Sequence, residues 1–288
     1  MATDPRYLVV ASDRDPVASA VVEQWGAPPA TGEFVDGAPI RRLSEGALLL
    51  RRPVLHIHDE HVDRRLPSPW REHRLSLVFP SIHRSERNVD CLTVHPIGNP
   101  GPNAEVGGEP RTLCPTDPRR MTHTLRTLAE VGGPVGWSAT FEATHHGPSV
   151  DAPAFFVEIG YGTATDPPPD AVRVLAHAIP RLEADPDDRV AVGVGGGHYV
   201  PHFTELALRR RWAFGHLLSR HALAALDAAT ARAAWAGTPD AAGIVYARAE
   251  DADLPVFKGL GTRARDGDAP RRGGAQAPTG ASRPASGT

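Results

Sequence analysis

The chain has 288 residues with 41% hydrophobic and 23% charged side chains, enough for one large α/β domain or two small ones. A net charge of −3 provides no general basic field, so a nucleic-acid partner would need a local cationic patch. No run of about 18 apolar residues marks a membrane-spanning helix. The start, MATDPRYLVVASDRD, has an acidic residue and only a short apolar run, which reads as no secretory signal and points to a cytoplasmic protein. Cys91 and Cys114 lack C-x-x-C spacing and read as reduced thiols. Lys258 is the only lysine, while the fourteen histidines keep metal and acid–base chemistry open.

Taken in chain order, RYLVVAS (6–12) reads as a first strand, followed by a helix over 15–25 with Asp15 as cap and Pro16 in the first turn. Residues 46–61 read as strand material broken at Pro53, and 74–81 and 89–96 as two more strands, with a Gly/Pro-rich loop over 97–115. The clearest helix is 116–132, where Asp117 caps, Pro118 opens and Met121, Leu125 and Leu128 form the buried stripe. Residues 136–144 alternate strictly and read as a strand, 154–160 as a more buried one. A helix over 170–179, a buried strand at 189–197 running into glycines, a helix opened by His202 or Thr204, apolar strand or loop at 212–218, an alanine-rich helix over 222–237 and a late strand at 242–250 complete the pattern. Helices between apolar strands imply a three-layer α/β/α fold on a mixed, largely parallel sheet. A single domain over 1–261 is expected. Residues 262–288, rich in Gly, Pro, Ala and Arg, read as a disordered tail.

Four stretches carry chemistry. In FEATHHGPS (141–149), His145 and His146 leave a strand end where α/β proteins collect functional groups, with Glu142 three residues before His145. In GVGGGHYVPHFTE (193–205), Gly195, Gly196 and Gly197 can bring backbone amides close to an anion beside His198 and Tyr199. The dinucleotide fingerprint fails there because His198 stands where its third glycine belongs. HIHDEH (56–61) matches the H-x-H-x-D-H pattern of metallo-β-lactamase-like zinc hydrolases except for Glu60, and would use His56, His58 and His61; chance histidines at a polar strand end in a histidine-rich chain are the favoured reading. In 81–99, His83, Arg84 and Arg87 can form a cationic patch beside His95 and Asn99, suited to phosphate. No G-x-S-x-G elbow or cysteine signature is present, which favours water activated by a base or a metal over a protein nucleophile.

Together SIHRSE, LTVHPIGN, FEATHHGPS, FFVEIG, GVGGGHYVPHFTE and FGHLL resemble, in order and spacing, the archaeal and plant type of D-aminoacyl-tRNA deacylase, over residues 6–261. The resemblance implies hydrolysis of the ester joining a D-amino acid to tRNA, dependence on Zn2+, and a fold similar to peptidyl-tRNA hydrolase and the purine nucleoside phosphorylases. On that reading Glu142, His145, His146 and His198 are the expected catalytic residues, with His145, His146 and His198 as metal ligands or one histidine as general base. Arg84, Arg87, His95, Gly195, Gly196, Gly197 and Tyr199 would hold the substrate. A monomer acting on tRNA that carries a D-amino acid is expected, with no membrane partner. A metallo-β-lactamase-like hydrolase and a non-catalytic tRNA-binding relative are the alternatives. His202 stands where that family usually has a basic residue, which leaves it no clear metal role.

Overall fold

The apolar runs become the strands of two sheets in a computed structural model, which describes residues 5–73, 75–84, 90–162 and 164–272. The strands are β1 (Tyr7–Ser12), β2 (Ala30–Val35), β3 (Ala38–Arg42), β4 (Ala47–Arg52), β5 (Ser76–His83), β6 (Cys91–Pro96), β7 (Gly98–Asn99), β8 (Thr112–Leu113), β9 (Ala139–Phe141), β10 (Ala154–Gly160), β11 (Arg189–Val194), β12 (Trp212–Leu218), β13 (Ala241–Tyr246) and β14 (Arg263–Ala264). The helices are α1 (Pro16–Gln24), α2 (Ser68–Glu72), α3 (Pro118–Gly132), α4 (Pro169–Ala178), α5 (Pro201–Arg209), α6 (Arg220–Leu223) and α7 (Ala228–Ala236). The α/β class with a mixed, mostly parallel sheet stands. The strands divide, however, into an eight-stranded sheet ordered β2-β3-β4-β1-β5-β10-β6-β9 and a four-stranded sheet ordered β12-β11-β13-β14. The second sheet is parallel throughout.

Local chemistry explains the elements that position the site. Asp15 caps α1 by accepting the Ala18 N–H at 2.8 Å, and its other oxygen takes the Ile82 N–H at 3.0 Å, tying the helix start to the end of β5. Alternation along the central strands sends Tyr7, Val9, Val78, Phe155 and Val157 to one buried cluster, with apolar residues of α1, α3 and α4. It sends Leu8, Val10, Leu77, Phe79 and Phe156 to the other, with Val62, Leu66 and Val150. That second face is closed by short 3-10 turns and loops rather than by a long helix.

Three expectations are corrected. The strand read over 136–144 is a ladder only at β9: the Glu142 N–H still goes to Val94 of β6, but the next residues change partners, Ala143 to the His198 carbonyl and Thr144 to the Leu217 carbonyl. This segment therefore stitches the first sheet to the second. The helix expected to open at His202 or Thr204 opens at Pro201, whose fixed φ suits a first helical residue. The Thr204 hydroxyl instead accepts the Phe141 N–H at 2.9 Å. Residues 262–272, expected in the tail, belong to the fold: β14 extends the second sheet, Ala269 is fully buried, and the Trp212 indole donates to the Asp266 carbonyl at 3.0 Å. A two-residue strand among polar turns leaves no periodicity to read. Residues 273–288 of that expected tail lie outside the described residues.

A buried histidine locks the junction of the sheets. His216 Nε2–H donates to the Cys114 carbonyl at 3.0 Å, leaving Nδ1 to accept the Thr144 hydroxyl at 3.1 Å; that hydroxyl in turn accepts the Leu217 N–H at 3.0 Å. Burial pushes the His216 pKa from the ordinary 6.5 down to about 4. The unfolded chain therefore binds one more proton than the native state between those values. The contribution, roughly 3 kcal/mol, is complete above pH 6.5 and is lost as pH falls through about 4. In His216→Gln, the slope of unfolding free energy against pH in this window is expected to fall by about one proton. Equal slopes for variant and wild type would remove His216 from the account.

Candidate active site

Strand register builds the floor of the site. On β10, Phe156 lies opposite Phe79 of β5 and His95 of β6, and Glu158 lies opposite Ser81 and Thr93. Phe156 stacks on Phe79 and on His95, each with ring centroids 5.1 Å apart. The same face that is apolar at Phe79 thus turns polar at Glu158 and His83, toward the carboxyl ends of β5 and β10, where open α/β sheets place their ligands. A cavity of about 590 Å³ opens there, lined among others by His56, His83, Arg84, His145, His146, Glu158 and His198.

Two turns supply the remaining groups. After Glu142 the chain crosses the end of β6, where Ile97 pairs with His145 and the Gly98 N–H donates to the His146 carbonyl at 2.8 Å. His146 sits in left-handed backbone, φ 44°, a conformation that a non-glycine residue keeps only when its surroundings enforce it. The enforcement comes from Gly147. A Cβ there would lie 2.2 Å from the Gly108 nitrogen, so only glycine lets the turn press against that loop. The second turn leaves β11 through the three glycines and delivers His198 and Tyr199.

Glu142 is the hub, with no exposed surface. His83 Nδ1 lies 3.3 Å from its Oε1, and His198 Nε2 and His145 Nε2 lie 3.4 and 3.7 Å from its Oε2. Neither oxygen of Glu142 has a hydrogen bond among the described residues. Glu158, equally deep, lies 3.4 Å from His83 and 3.5 Å from His95. His83 Nε2 meets the Tyr199 hydroxyl at 3.0 Å. Each member of the histidine pair is oriented by a carbonyl: Nδ1 of His145 lies 2.8 Å from Ala143 and Nδ1 of His146 2.7 Å from Gly147, which leaves both Nε2 lone pairs free. The ligand atoms of His145 and His146 converge with that of His95, all within 4.8 Å of one another, and those of His83, Glu142 and His198 form a second such group.

The environments separate the proton affinities. Burial, together with the neighbouring imidazoles, holds His145 well below the ordinary histidine range and His146 at about 4, so both are neutral. His83 and His95 move the other way. Burial opposes their charged forms, but the close approach of the Glu158 carboxylate and the charges of Glu142 and Glu158 outweigh it and raise both. Glu158 is correspondingly held well below the carboxylate range: burial would raise it, and the imidazoles of His83 and His95 at ion-pair distance prevail. Cys91 is no nucleophile here, since burial pushes its thiol up to about 11.

Of the residues expected from sequence, the structure brings Glu142, His145, His146, His198, His95 and Tyr199 together. Arg84 is exposed at the cavity, and Arg87 lies outside the described residues. The Gly195 N–H is taken by the Leu218 carbonyl at 2.8 Å, and none of the three glycines lines the cavity. His202 faces Asp266 at 3.5 Å on α5. HIHDEH is held by structural contacts. His56 Nε2 accepts the Ser12 N–H at 3.1 Å, buried Asp59 pairs with Arg52 at 2.8 Å and with Arg65, and Glu60 accepts the Gly108 and Ser149 N–H groups at 2.7 and 2.5 Å. None of its histidines joins a converging ligand group among the described residues. Two site residues were misread or missed. His83, expected on a cationic surface patch, points inward. Glu158 was signalled by FFVEIG, where a carboxylate in an otherwise apolar strand must find a partner when buried.

Fold and site define an α/β protein with a buried histidine–carboxylate centre at the strand ends. The chain belongs to the D-aminoacyl-tRNA deacylase family, whose model matches residues 71–252. The D-aminoacyl-tRNA deacylase of Methanosphaerula palustris is 40% identical over 216 residues, 70% of this chain and 47% of that protein. That of Thermoplasma acidophilum is 39% identical over 173 residues, 60% of this chain and 67% of that protein. The chain thus spans about half the length of the first of these relatives. The crystal structure of the conserved protein of unknown function AF0625 shares the fold, with a TM-score of 0.79 over 93% of this chain and 99% of that one, at 24% identity.

Proposed function

We propose that this chain hydrolyses the ester of D-aminoacyl-tRNA, releasing tRNA and the D-amino acid. The observation that carries the reading is Glu142, buried without a hydrogen bond and faced by three imidazoles within 3.7 Å. A group so costly to bury is kept for chemistry. The aminoacyl ester is already activated. The site has to orient a water, take its proton and balance the charge of the tetrahedral oxyanion. Where its Nε2 holds no metal, neutral His145, partly exposed to the cavity and 3.7 Å from Glu142, is placed to take the proton. His83 and His95, whose protonated forms Glu158 and Glu142 favour, supply positive potential when they carry a proton.

Zinc fits this donor set. Two buried carboxylates call for positive charge, and His95 Nε2 is a further buried atom without a hydrogen bond among the described residues. His95, His145 and His146 would hold the ion, which would replace the proton on His95. When bound, zinc supplies a Lewis acid.

The test mixes the protein with D-tyrosyl-tRNA and L-tyrosyl-tRNA, with and without chelator, and follows ester loss. Rapid loss of the D-ester alone is expected, abolished by chelator and falling as salt rises, because phosphate contacts release counterions. A protein that binds tRNA but cleaves neither ester, even with added zinc, would be the non-catalytic relative.

A further inference from the structure

Four large apolar side chains stand exposed among the described residues: Phe34, Leu55, Val106 and Val135. Scattered exposure of this kind is ordinary. Leu55 and Val106, however, line the same cavity as the histidine–carboxylate centre. They come from distant segments that the fold presses together, since a Cβ on Gly107 would lie 1.7 Å from the Ile57 carbonyl oxygen. The Val106 segment is also pinned to the catalytic turn. Its carbonyl accepts the Gly147 N–H at 3.1 Å, the Gly108 N–H reaches Glu60 at 2.7 Å, and the Asn99 amide donates to the Gly107 carbonyl at 2.9 Å. Val106 is 50% exposed and Leu55 37%, so two apolar surfaces stand on a rigid frame where water wets them. A preorganised apolar pair of this kind binds at little ordering cost.

The position selects the ligand. The scissile ester has to reach His145 and His198, so the polynucleotide stays on the outer side of the cavity. The part of it adjoining the ester is the 3′-terminal nucleotide. Arg84, exposed at the same cavity, complements the phosphate that follows. We infer that Leu55 and Val106 clamp the base of the 3′-terminal nucleotide of tRNA, an inference that rests on the deacylase reading. A base offers an apolar face to such a clamp whatever its edge carries.

The experiment titrates the uncharged trinucleotide CCA into the full chain and into Leu55→Ala, Val106→Ala and the double variant. Both side chains already face solvent, so the variants are expected to fold as wild type, which a thermal melt checks. The methyl NMR signals of Leu55 and Val106 should shift on binding, and the double variant should bind roughly tenfold more weakly. The same variants should raise KM for D-tyrosyl-tRNA and D-alanyl-tRNA by one common factor. No trinucleotide binding, or equal affinity in wild type and variants, overturns the clamp. A KM rise confined to D-tyrosyl-tRNA places the amino-acid side chain there and overturns it too. The binding arm needs no turnover. A wild type that binds CCA through these methyls yet cleaves neither D-ester would sink the deacylase reading and leave the clamp as a nucleotide site.

Discussion

Glu142→Gln is expected to lower kcat/KM for D-tyrosyl-tRNA by roughly 10³-fold while leaving the thermal midpoint unchanged or higher. Glutamine keeps the shape and removes the charge. The carboxylate is fully buried, its two oxygens lack hydrogen bonds among the described residues, and three imidazoles face it at 3.3 to 3.7 Å. Such a charge is a liability for folding, compensated only in part by histidines at ion-pair distance. Removing it should therefore relax the fold and disable the chemistry together. Single-turnover deacylation read beside thermal melts separates the two effects. A variant that melts several degrees lower and loses activity only in proportion would make Glu142 a structural residue.

Substituting the histidine pair is the second large effect. His145→Ala should reduce kcat by roughly 10²–10³-fold, the size of a lost proton acceptor. His146→Asn should cost roughly 10²-fold with little change in stability. Asparagine tolerates the left-handed backbone that His146 occupies at φ 44°, so the turn should survive the exchange. Activity alone would not distinguish a base from a ligand. Zinc content per chain after dialysis does: both variants should lose bound metal if His95, His145 and His146 form the ligand group. Two variants with wild-type activity would end the assignment of this turn. Two that keep their zinc but lose turnover would leave His145 as base and move the metal to another converging group, such as His83, Glu142 and His198.

How much of this was legible in the sequence follows from the range of each interaction. Caps and stripes are local, so Asp15 and Asp117 could be assigned from neighbours three residues away. The same holds for the turn at 144–148, whose histidines, glycine and proline announce an unusual backbone. The direction of His83 was not legible. Its flanks, Ile82 and Arg84, suit a surface patch, and only the pairing of β5 with β10 brings it to Glu158 and Glu142. HIHDEH shows the converse. Its spacing imitates a metal motif, yet His56, Asp59 and Glu60 are each engaged by a partner that no spacing rule contains: the Ser12 amide, Arg52 and the Gly108 amide.

By itself, then, the amino-acid order determined the α/β class, the principal helices with their caps, and the two turns that carry His145, His146 and His198, because periodicity and capping act within a few residues. Only the tertiary structure decided that the strands split into two sheets, that residues 143 and 144 join them, and that five histidines and two carboxylates converge on one centre. Those contacts link positions up to 116 apart in the chain, as His83 does with Tyr199. They arise from strand register and from glycines that let segments touch, which the identity of neighbouring residues does not encode.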